Sequence, residues 1–207
     1  MRHSRPSFTW PDAPRWRAFG KFTGLFHVFF FPIYFGCGYL AERAGRTFGL
    51  YAKWELHIPL VPWMIWPYLT LFSLFQLPLL HMQPRQIAAL SRQSTASLLL
   101  AGLAFLAVPT HAGFAPVAIE GFHRPIFDLL GSVDTAHNLT PSLHVTFSAL
   151  ILLGCANLTS RRLAWFYRFW LLLLSISTVL VHQHHLLDVI GGLLLAQLMR
   201  RAFPLGA

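Results

Sequence analysis

The chain has 207 residues, of which 55% are hydrophobic and 11% are charged, and its mean hydropathy is +0.53. Soluble domains usually carry about a quarter charged residues, so this composition predicts an integral membrane protein without a separate soluble domain. Sixteen Lys and Arg against seven Asp and Glu give a net charge of +9. Because the basic residues flank apolar runs, they indicate membrane topology rather than nucleic-acid binding.

Six apolar runs follow one another along the chain. The first, at 22–40, follows a basic tail at 1–21, and it is expected to stay as an anchor because it is long and no small-residue cleavage site follows it. The other runs lie at 58–80, 94–109, 142–158, 163–182 and 185–203. Since about 20 apolar residues cross a bilayer as a helix, we expect an all-α, polytopic integral membrane protein with one six-transmembrane-helix bundle over 22–203.

The distribution of positive charge predicts the orientation of this bundle. Lys and Arg near span ends favour the cytoplasmic side. With the N-terminus inside, the inner segments hold eleven Lys and Arg and the outer loops hold four. We therefore expect cytoplasmic N- and C-termini in a plasma membrane or a bacterial inner membrane. Most histidines and six of the seven carboxylates fall at or beside the outer loops, so an active site is expected on the extracytoplasmic face.

The two cysteines give no sign of a cofactor. Cys37 and Cys155 lie inside apolar runs and far apart in the sequence. This pattern predicts neither a disulfide framework nor a cysteine-based metal site.

The segment 177–192, with the sequence STVLVHQHHLLDVIGG, contains the first candidate site. His184 and Asp188 are four residues apart, which places them on one helix face. A carboxylate at this spacing accepts one imidazole N–H and raises the basicity of the other nitrogen. An ionised Asp in hydrocarbon costs about 2.5 to 3.5 kcal/mol, which favours a functional Asp188 over the alternative of a structural hydrogen bond. Gly191 and Gly192 are expected to let helices approach closely.

The segment 138–148, with the sequence NLTPSLHVTFS, contains the second candidate site. Thr140 followed by Pro141 predicts a helix start with Thr140 as the N-cap. The positive end of the helix dipole would then lie beside His144, where it suits a phosphate oxygen. The alternative for His144 is a buried histidine with a structural hydrogen bond.

Chain length brings these two segments to the same depth. From His144 the chain descends about 15 residues, turns at Arg161 and Arg162, and climbs about 20 residues to His184. At about 1.5 Å per residue each leg crosses a core about 30 Å thick. Two imidazoles and one carboxylate would then meet, a set that suits attack on phosphorus by one histidine and protonation of the leaving oxygen by the other.

These residues also form two recognisable motifs. PSLH occupies 141–144. Ser177 and Thr178 are followed by His184 after five residues, and His184 is followed by Asp188 after three more. The chain thereby resembles the type 2 phosphatidic acid phosphatase superfamily of integral membrane lipid phosphatases and phosphotransferases, whose motifs are K-x6-RP, PSGH and SR-x5-H-x3-D. The variants are similar to the branch that contains inositol phosphorylceramide synthases and their bacterial relatives.

The resemblance covers about residues 55–200 and implies a six-helix bundle with its site at the outer face and no metal requirement. It implies that His184 becomes phosphohistidine, that Asp188 orients His184, and that His144 acts as general acid and then as base toward water or an alcohol. The substrate would be a membrane lipid phosphate or phospholipid. Hydrolysis and transfer to an alcohol share the first half-reaction, and the sequence does not decide between them.

The chain departs from the superfamily at two phosphate-binding cations. The first motif survives as Arg124 and Pro125 with Val117 in place of its lysine, and Thr178 replaces the arginine of the third motif. Charge-assisted and amide donors would have to compensate. The candidate substrate-binding residues are Arg124, Ser142, His185, His182 and Asn138. Glu55 and Asp134 are either part of a headgroup pocket or solvated loop residues.

Two other functions compete with lipid phosphoester cleavage. His182, His184 and His185 are similar to the histidine boxes of membrane di-iron enzymes, but such sites need several boxes with about eight ligands, and this chain has one tight cluster. A non-enzymatic transporter or scaffold would use Asp188 and the histidines to relay protons or join helices.

Overall fold

The computed structural model describes residues 10–135 and 137–206 and contains eight α-helices and no strand in that part of the chain. The all-α prediction is confirmed. The helices are α1 (Ala13–Ala44), α2 (Ile65–Leu74), α3 (Leu77–His81), α4 (Pro84–Ala107), α5 (Arg124–Val133), α6 (Leu143–Ala156), α7 (Arg161–Leu180) and α8 (Leu186–Ala202). Short 3₁₀ turns lie at Lys53–His57, Pro62–Met64 and Gly121–His123.

Helix α1 begins inside the segment that was expected to be a basic tail. The carboxylate of Asp12 accepts the backbone N–H of Arg15 at 3.0 Å, and a proline occupies the first turn, both of which favour a helix start. The helix ends at Gly45, whose φ of 62° is the left-handed conformation that glycine adopts easily. Residues 1–9 of the expected tail lie outside the described residues.

Two helices, α1 and α7, are long and apolar enough to cross a membrane, whereas the apolar α6 has 14 residues. The run at 58–80 was expected to form one helix, and this prediction is wrong. The run divides into a 3₁₀ turn, α2 and α3 because Pro62 and Pro78 lack an N–H and therefore lie in the first turn of a new helix. The ten-residue α5 was not predicted.

Helix α6 lies at the centre of the fold. Almost all of its residues are buried, and it contacts α2, α3, α4, α7 and α8. The largest buried cluster of apolar side chains joins α6 to α1, α4 and α7. The position of His144 in the first turn of α6 therefore places that histidine at the end of the most buried helix.

Two glycines allow α8 to pack closely against the start of α6. A Cβ added at Gly192 would lie 2.6 Å from the backbone carbonyl oxygen of Ser142, and one at Gly191 would lie 3.3 Å from Pro141. The hydroxyl of Thr146 donates to the carbonyl of Gly192 at 3.1 Å. The expectation that these glycines permit close helix approach is confirmed, and their position joins the two predicted motifs.

Candidate functional site

His144 and His184 line the same cavity, which has a volume of about 250 Å³. His144 comes from the first turn of α6, and His184 lies in the turn between α7 and α8. Five further polar residues line the cavity, namely Tyr34, Tyr68, Asp134, Asn138 and Gln183. The apolar wall consists of Phe30, Phe35, Leu71, Phe72, Leu130, Val133, Leu139, Leu143 and Phe147. The cavity thus has one polar region and one apolar region.

The turn after α7 fixes the position of His184. His182 has a φ of 60°, a left-handed conformation that ends the helix. The carbonyl of Thr178 then accepts the backbone N–H groups of Gln183 at 3.1 Å and of His184 at 3.0 Å. These two hydrogen bonds hold the backbone of His184 beside the cavity.

Asp188 supports the ring of His184 from behind. Its Oδ2 lies 3.4 Å from Nδ1 of His184, which is longer than an ordinary hydrogen bond. The carboxylate is 2% exposed and accepts hydrogen bonds from the Thr140 hydroxyl and, at 2.7 Å, from the backbone N–H of His185. A proton on Nδ1 of His184 would face this fixed carboxylate and leave the lone pair of Nε2 free.

His144 is held through one ring nitrogen. Its Nε2–H donates to the carbonyl of Tyr68 at 2.7 Å, and its ring stacks on the Tyr68 ring with 4.0 Å between centroids. Because a carbonyl oxygen only accepts hydrogen bonds, the proton stays on Nε2. Nδ1 is left for proton transfer, so the structural contact and a catalytic role are compatible in this residue.

The N-cap of α6 is Ser142, so the prediction of Thr140 is wrong. The Ser142 hydroxyl accepts the backbone N–H of Val145 at 3.3 Å, and its own backbone N–H donates to the Asp188 carbonyl at 3.0 Å. Thr140 instead donates its hydroxyl to the Asp188 carboxylate, and Pro141 precedes the helix after a cis peptide bond. The predicted substrate-binding residue Ser142 is fully buried with its hydroxyl bound to the helix start.

His182 and His185, two predicted substrate-binding residues, lie in a stack of four rings rather than in the cavity lining. The ring of Phe114 lies between them, 4.0 Å from the His182 centroid and 4.3 Å from that of His185. Tyr51 covers the other face of His185 at 4.4 Å. This stack fastens two loops to the start of α8.

Nε2 of each residue is also hydrogen-bonded to a backbone carbonyl. Nε2–H of His182 donates to the Ile58 carbonyl at 2.9 Å, and Nε2–H of His185 donates to the Ala112 carbonyl. Burial lowers the pKa of His182, which disfavours a positive charge on it. Neither ring lines the cavity that contains His144 and His184.

Glu55 is buried and is neither a solvated loop residue nor part of the cavity lining. Its Oε2 accepts the backbone N–H of Leu186 at 2.9 Å and lies 3.3 Å from Nδ1 of His185. Together with Asp188, it provides carboxylate partners for amides at the N-terminus of α8. That helix end is therefore occupied by the protein's own acidic side chains.

Tyr34, Asp134 and Asn138 form a second polar cluster that lines the cavity. Oδ1 of Asp134 accepts hydrogen bonds from the Tyr34 hydroxyl and, at 2.8 Å, from the backbone N–H of Thr135. Nδ2 of Asn138 donates to the Tyr34 carbonyl. Asn138 is 3% exposed, and its Oδ1 has no hydrogen-bond partner among the described residues. Carboxylate and amide oxygens accept hydrogen bonds, so this cluster suits a ligand with O–H or N–H groups.

The predicted phosphate cation Arg124 lies away from the cavity lining. Its side chain is 70% exposed at the start of α5, and its Nε lies 3.6 Å from Asp128. Thr178, at the position of the missing arginine, is buried and donates its hydroxyl to the Ser175 carbonyl at 2.8 Å. The lining residues that the structure describes include no Lys or Arg.

Within residues 10–135 and 137–206, no group of three or more His, Cys, Asp and Glu is arranged to hold a metal ion. The three clustered histidines diverge, because His184 lines the cavity while His182 and His185 flank Phe114. Because the three imidazole rings point to different places, the arrangement disfavours the interpretation as a histidine box.

Comparison with known proteins adds no relative: no family model, no curated protein and no solved structure matches the chain. The resemblance to the phosphatase superfamily therefore rests on the motif residues themselves.

Proposed function

We propose that this protein is an integral membrane lipid phosphatase or phosphotransferase that cleaves a phosphoryl ester of a membrane lipid through a phosphohistidine on His184. The observation that carries the proposal is the presence of His144 and His184 in one cavity, with Asp188 3.4 Å behind His184. An oriented nucleophile and a separate proton donor are what such a displacement requires.

In the first step the Nε2 lone pair of His184 attacks phosphorus, and the bond from phosphorus to the leaving ester oxygen breaks. The doubly protonated ring of His144 gives its Nδ1 proton to that oxygen, so the leaving group departs as an alcohol. Asp188 stabilises the positive charge that develops on the His184 ring.

In the second step the oxygen of water or of an acceptor alcohol bonds to phosphorus and loses its proton to Nδ1 of His144. The phosphorus–nitrogen bond breaks, and the electron pair returns to Nε2 of His184. Throughout both steps the Tyr68 carbonyl keeps the Nε2 proton of His144 in place. One histidine thus serves as acid and then as base.

The cavity wall supports a lipid substrate. Phe35, Phe72 and Val133 line the cavity and are also exposed on the outer surface of the bundle, Phe72 by 67%. An acyl chain could lie along these side chains while the phosphoryl group reaches the histidines. The apolar region therefore continues to the surface that would face lipid.

The surface of the bundle supports a membrane location. In the most apolar stretch of α1 only 22% of the residues are buried, and α4, α7 and α8 also expose large apolar side chains. Such extensive apolar surface is rare on proteins in water. We infer six crossings formed by α1, α2 with α3, α4, α6, α7 and α8, with cytoplasmic termini and an extracytoplasmic active site.

The second polar cluster favours a substrate or acceptor that carries hydroxyl or amino groups. The oxygens of Asp134 and Asn138 would repel a phosphate and attract O–H or N–H donors. The phosphoryl group therefore belongs at the histidines, and the headgroup or acceptor alcohol belongs at Asp134 and Asn138. Water is the acceptor in hydrolysis.

The direct test incubates the purified protein with a panel of lipid phosphates, phosphodiesters and diphosphates and measures released phosphate and headgroup exchange. Turnover that requires His184 supports the proposal. The Glu42→Gln variant, which removes an exposed carboxylate from α1, is the control and is expected to match the wild type. Full activity of His184→Ala would falsify the mechanism.

One observation favours a transporter as the second candidate. The described lining of the cavity contains Asp134 and no Lys or Arg, so a cationic or proton-coupled solute would also fit there. Transport into vesicles that persists in His184→Ala, with no phosphoester cleaved by the wild type, would support this candidate over the enzyme.

A further inference from the structure

A second concave surface lies between α1 and α4, away from the histidine cavity. This groove has a volume of about 560 Å³, and Arg17, Lys21 and Arg92 line it together with Phe22 and Leu25. Tyr34, which belongs to the histidine cavity, lies about 20 Å further along α1 than Lys21, from the rise per residue of a helix. The groove is therefore a separate site at the end of the bundle where α1 begins.

Three cations converge in this groove without a matching acidic residue. Arg17 and Lys21 are one helical turn apart and share a face of α1, and Arg92 comes from α4. All three are exposed, and none of the ion pairs among the described residues includes them. The carboxylate nearest in sequence, Asp12, caps α1 and pairs with Arg15. The groove therefore has uncompensated positive charge.

Apolar surface continues directly from these cations. Phe22 and Leu25 follow Lys21 at the start of the apolar run 22–40, where Phe22 is buried in the core and Leu25 is 43% exposed. Trp16, on the same part of α1, is exposed as well, and tryptophan is enriched where helices enter the interface of a bilayer. Charge and apolar surface thus meet in the first part of α1.

This combination identifies the class of ligand. A free phosphate would contact the cations and leave Leu25 uncovered, whereas a phospholipid offers an anionic headgroup and an acyl chain in the matching order. We propose that the groove binds an anionic phospholipid of the cytoplasmic leaflet, with its phosphate at Arg17, Lys21 and Arg92. The proposal depends on the membrane location and not on the chemistry at His184.

The test counts the lipids that remain bound to the purified protein by native mass spectrometry after exposure to mixed phosphatidylglycerol and phosphatidylcholine. The double variant Arg17→Gln/Arg92→Gln removes two cations from the groove. Its matched control, Arg161→Gln/Arg162→Gln, removes two exposed cations at the start of α7 on the same side of the bundle. We expect the groove variant to lose phosphatidylglycerol affinity by about tenfold or more and the control to retain it.

Three results would overturn the proposal. Equal losses in the two variants would indicate general surface charge, and equal retention of the two lipids by the wild type would remove the headgroup preference. Displacement of the lipid by millimolar inorganic phosphate would identify a free phosphate site.

Stability of the wild type provides a measurement that does not depend on how the variants fold. Phosphatidylglycerol is expected to raise the melting temperature of the wild type more than phosphatidylcholine does, and equal shifts would contradict the proposal. None of these readouts uses turnover, so a failure of the phosphohistidine mechanism would be seen separately.

Discussion

His184 and His185 are adjacent in the sequence and have opposite environments. The ring of His184 lines a cavity and has a carboxylate behind it, whereas the ring of His185 is enclosed between Phe114 and Tyr51 with both nitrogens facing acceptors. The difference comes from the turn after α7, which begins at the left-handed His182. Neighbouring histidines in a cluster therefore differ in role when the backbone directs them to opposite sides.

The same contrast distinguishes the residues proposed for catalysis from the residues that stabilise the fold. The proposed acid–base and nucleophilic groups each have one ring nitrogen that faces an acceptor and one available, while both ring nitrogens of His185 face carbonyl and carboxylate oxygens. Substitutions of residues that line the cavity should therefore reduce turnover, whereas substitutions in the ring stack should reduce stability.

The largest effect is expected from His184→Ala. Loss of the nucleophile should reduce phosphoester cleavage by about 10⁴-fold or more, and His144→Ala should be nearly as severe because the leaving oxygen then lacks its proton donor. Phosphate release from a lipid phosphate measures the effect. Gel filtration in detergent should show both variants folded, and unchanged cleavage by either would remove that residue from the mechanism.

Asp188→Asn should reduce turnover by about 10²- to 10⁴-fold, because the amide no longer stabilises a charged His184 ring. The amide keeps nearly the same shape, so the protein should remain folded. Comparison with Asn138→Leu in the same assay sharpens the result, since loss of the unpaired Asn138 oxygen should weaken substrate binding and raise KM rather than lower kcat. Equal kcat for wild type and Asp188→Asn would contradict the orienting role.

His185→Ala should mainly destabilise the protein. The change removes the imidazole that faces the buried Glu55 carboxylate, leaves the Ala112 carbonyl without its donor and opens the ring stack, at a cost of about 1 to 3 kcal/mol. Thermal unfolding in detergent measures this loss, and cleavage by the folded fraction should stay within about tenfold of the wild type. A stable His185→Ala protein without activity would place His185 in the catalytic step.

Gly192→Ala tests the contact between the two motifs. The added methyl group would meet the Ser142 carbonyl, so α8 must shift from α6 at a cost of about 1 to 3 kcal/mol. Gly36→Ala is the matched control, because a Cβ there meets no atom within 4 Å. Similar melting temperatures for the two variants would argue against the close helix approach.

The smallest effect is expected from Arg124→Gln. This exposed side chain pairs with Asp128 outside the cavity lining, so cleavage should change by less than about threefold. A large rise in KM would show that Arg124 binds the substrate phosphate after all, as its place in the first motif predicts.

Sequence patterns located the helices well where an apolar run was uninterrupted. The runs that became α1, α6 and α7 are examples, whereas the run at 58–80 divides because its prolines start new turns. Helix α5 was missed because its ten residues are amphipathic and form no continuous apolar run, although Pro125 in its first turn is a helix-start signal.

The candidate site was only partly visible in the sequence. The spacing of His184 and Asp188 is local, since four residues on a helix share a face, and it could be recognised directly. Tyr34 was missed because its partner Asp134 is distant in the sequence, and its only signal was a hydroxyl within an apolar run. Ser142 rather than Thr140 is the N-cap of α6, and the Thr140 hydroxyl donates to the Asp188 carboxylate instead. This contact with another helix is not visible in any local pattern.

The most direct test is to trap the covalent intermediate. Protein mixed with a lipid phosphate labelled in its phosphoryl group is quenched in base within the first turnover and digested, and the labelled residue is identified by mass spectrometry. The account predicts an acid-labile phosphoryl group on His184 of the wild type that is absent from His184→Ala. Turnover without a labelled histidine, or a label on another residue, would contradict it.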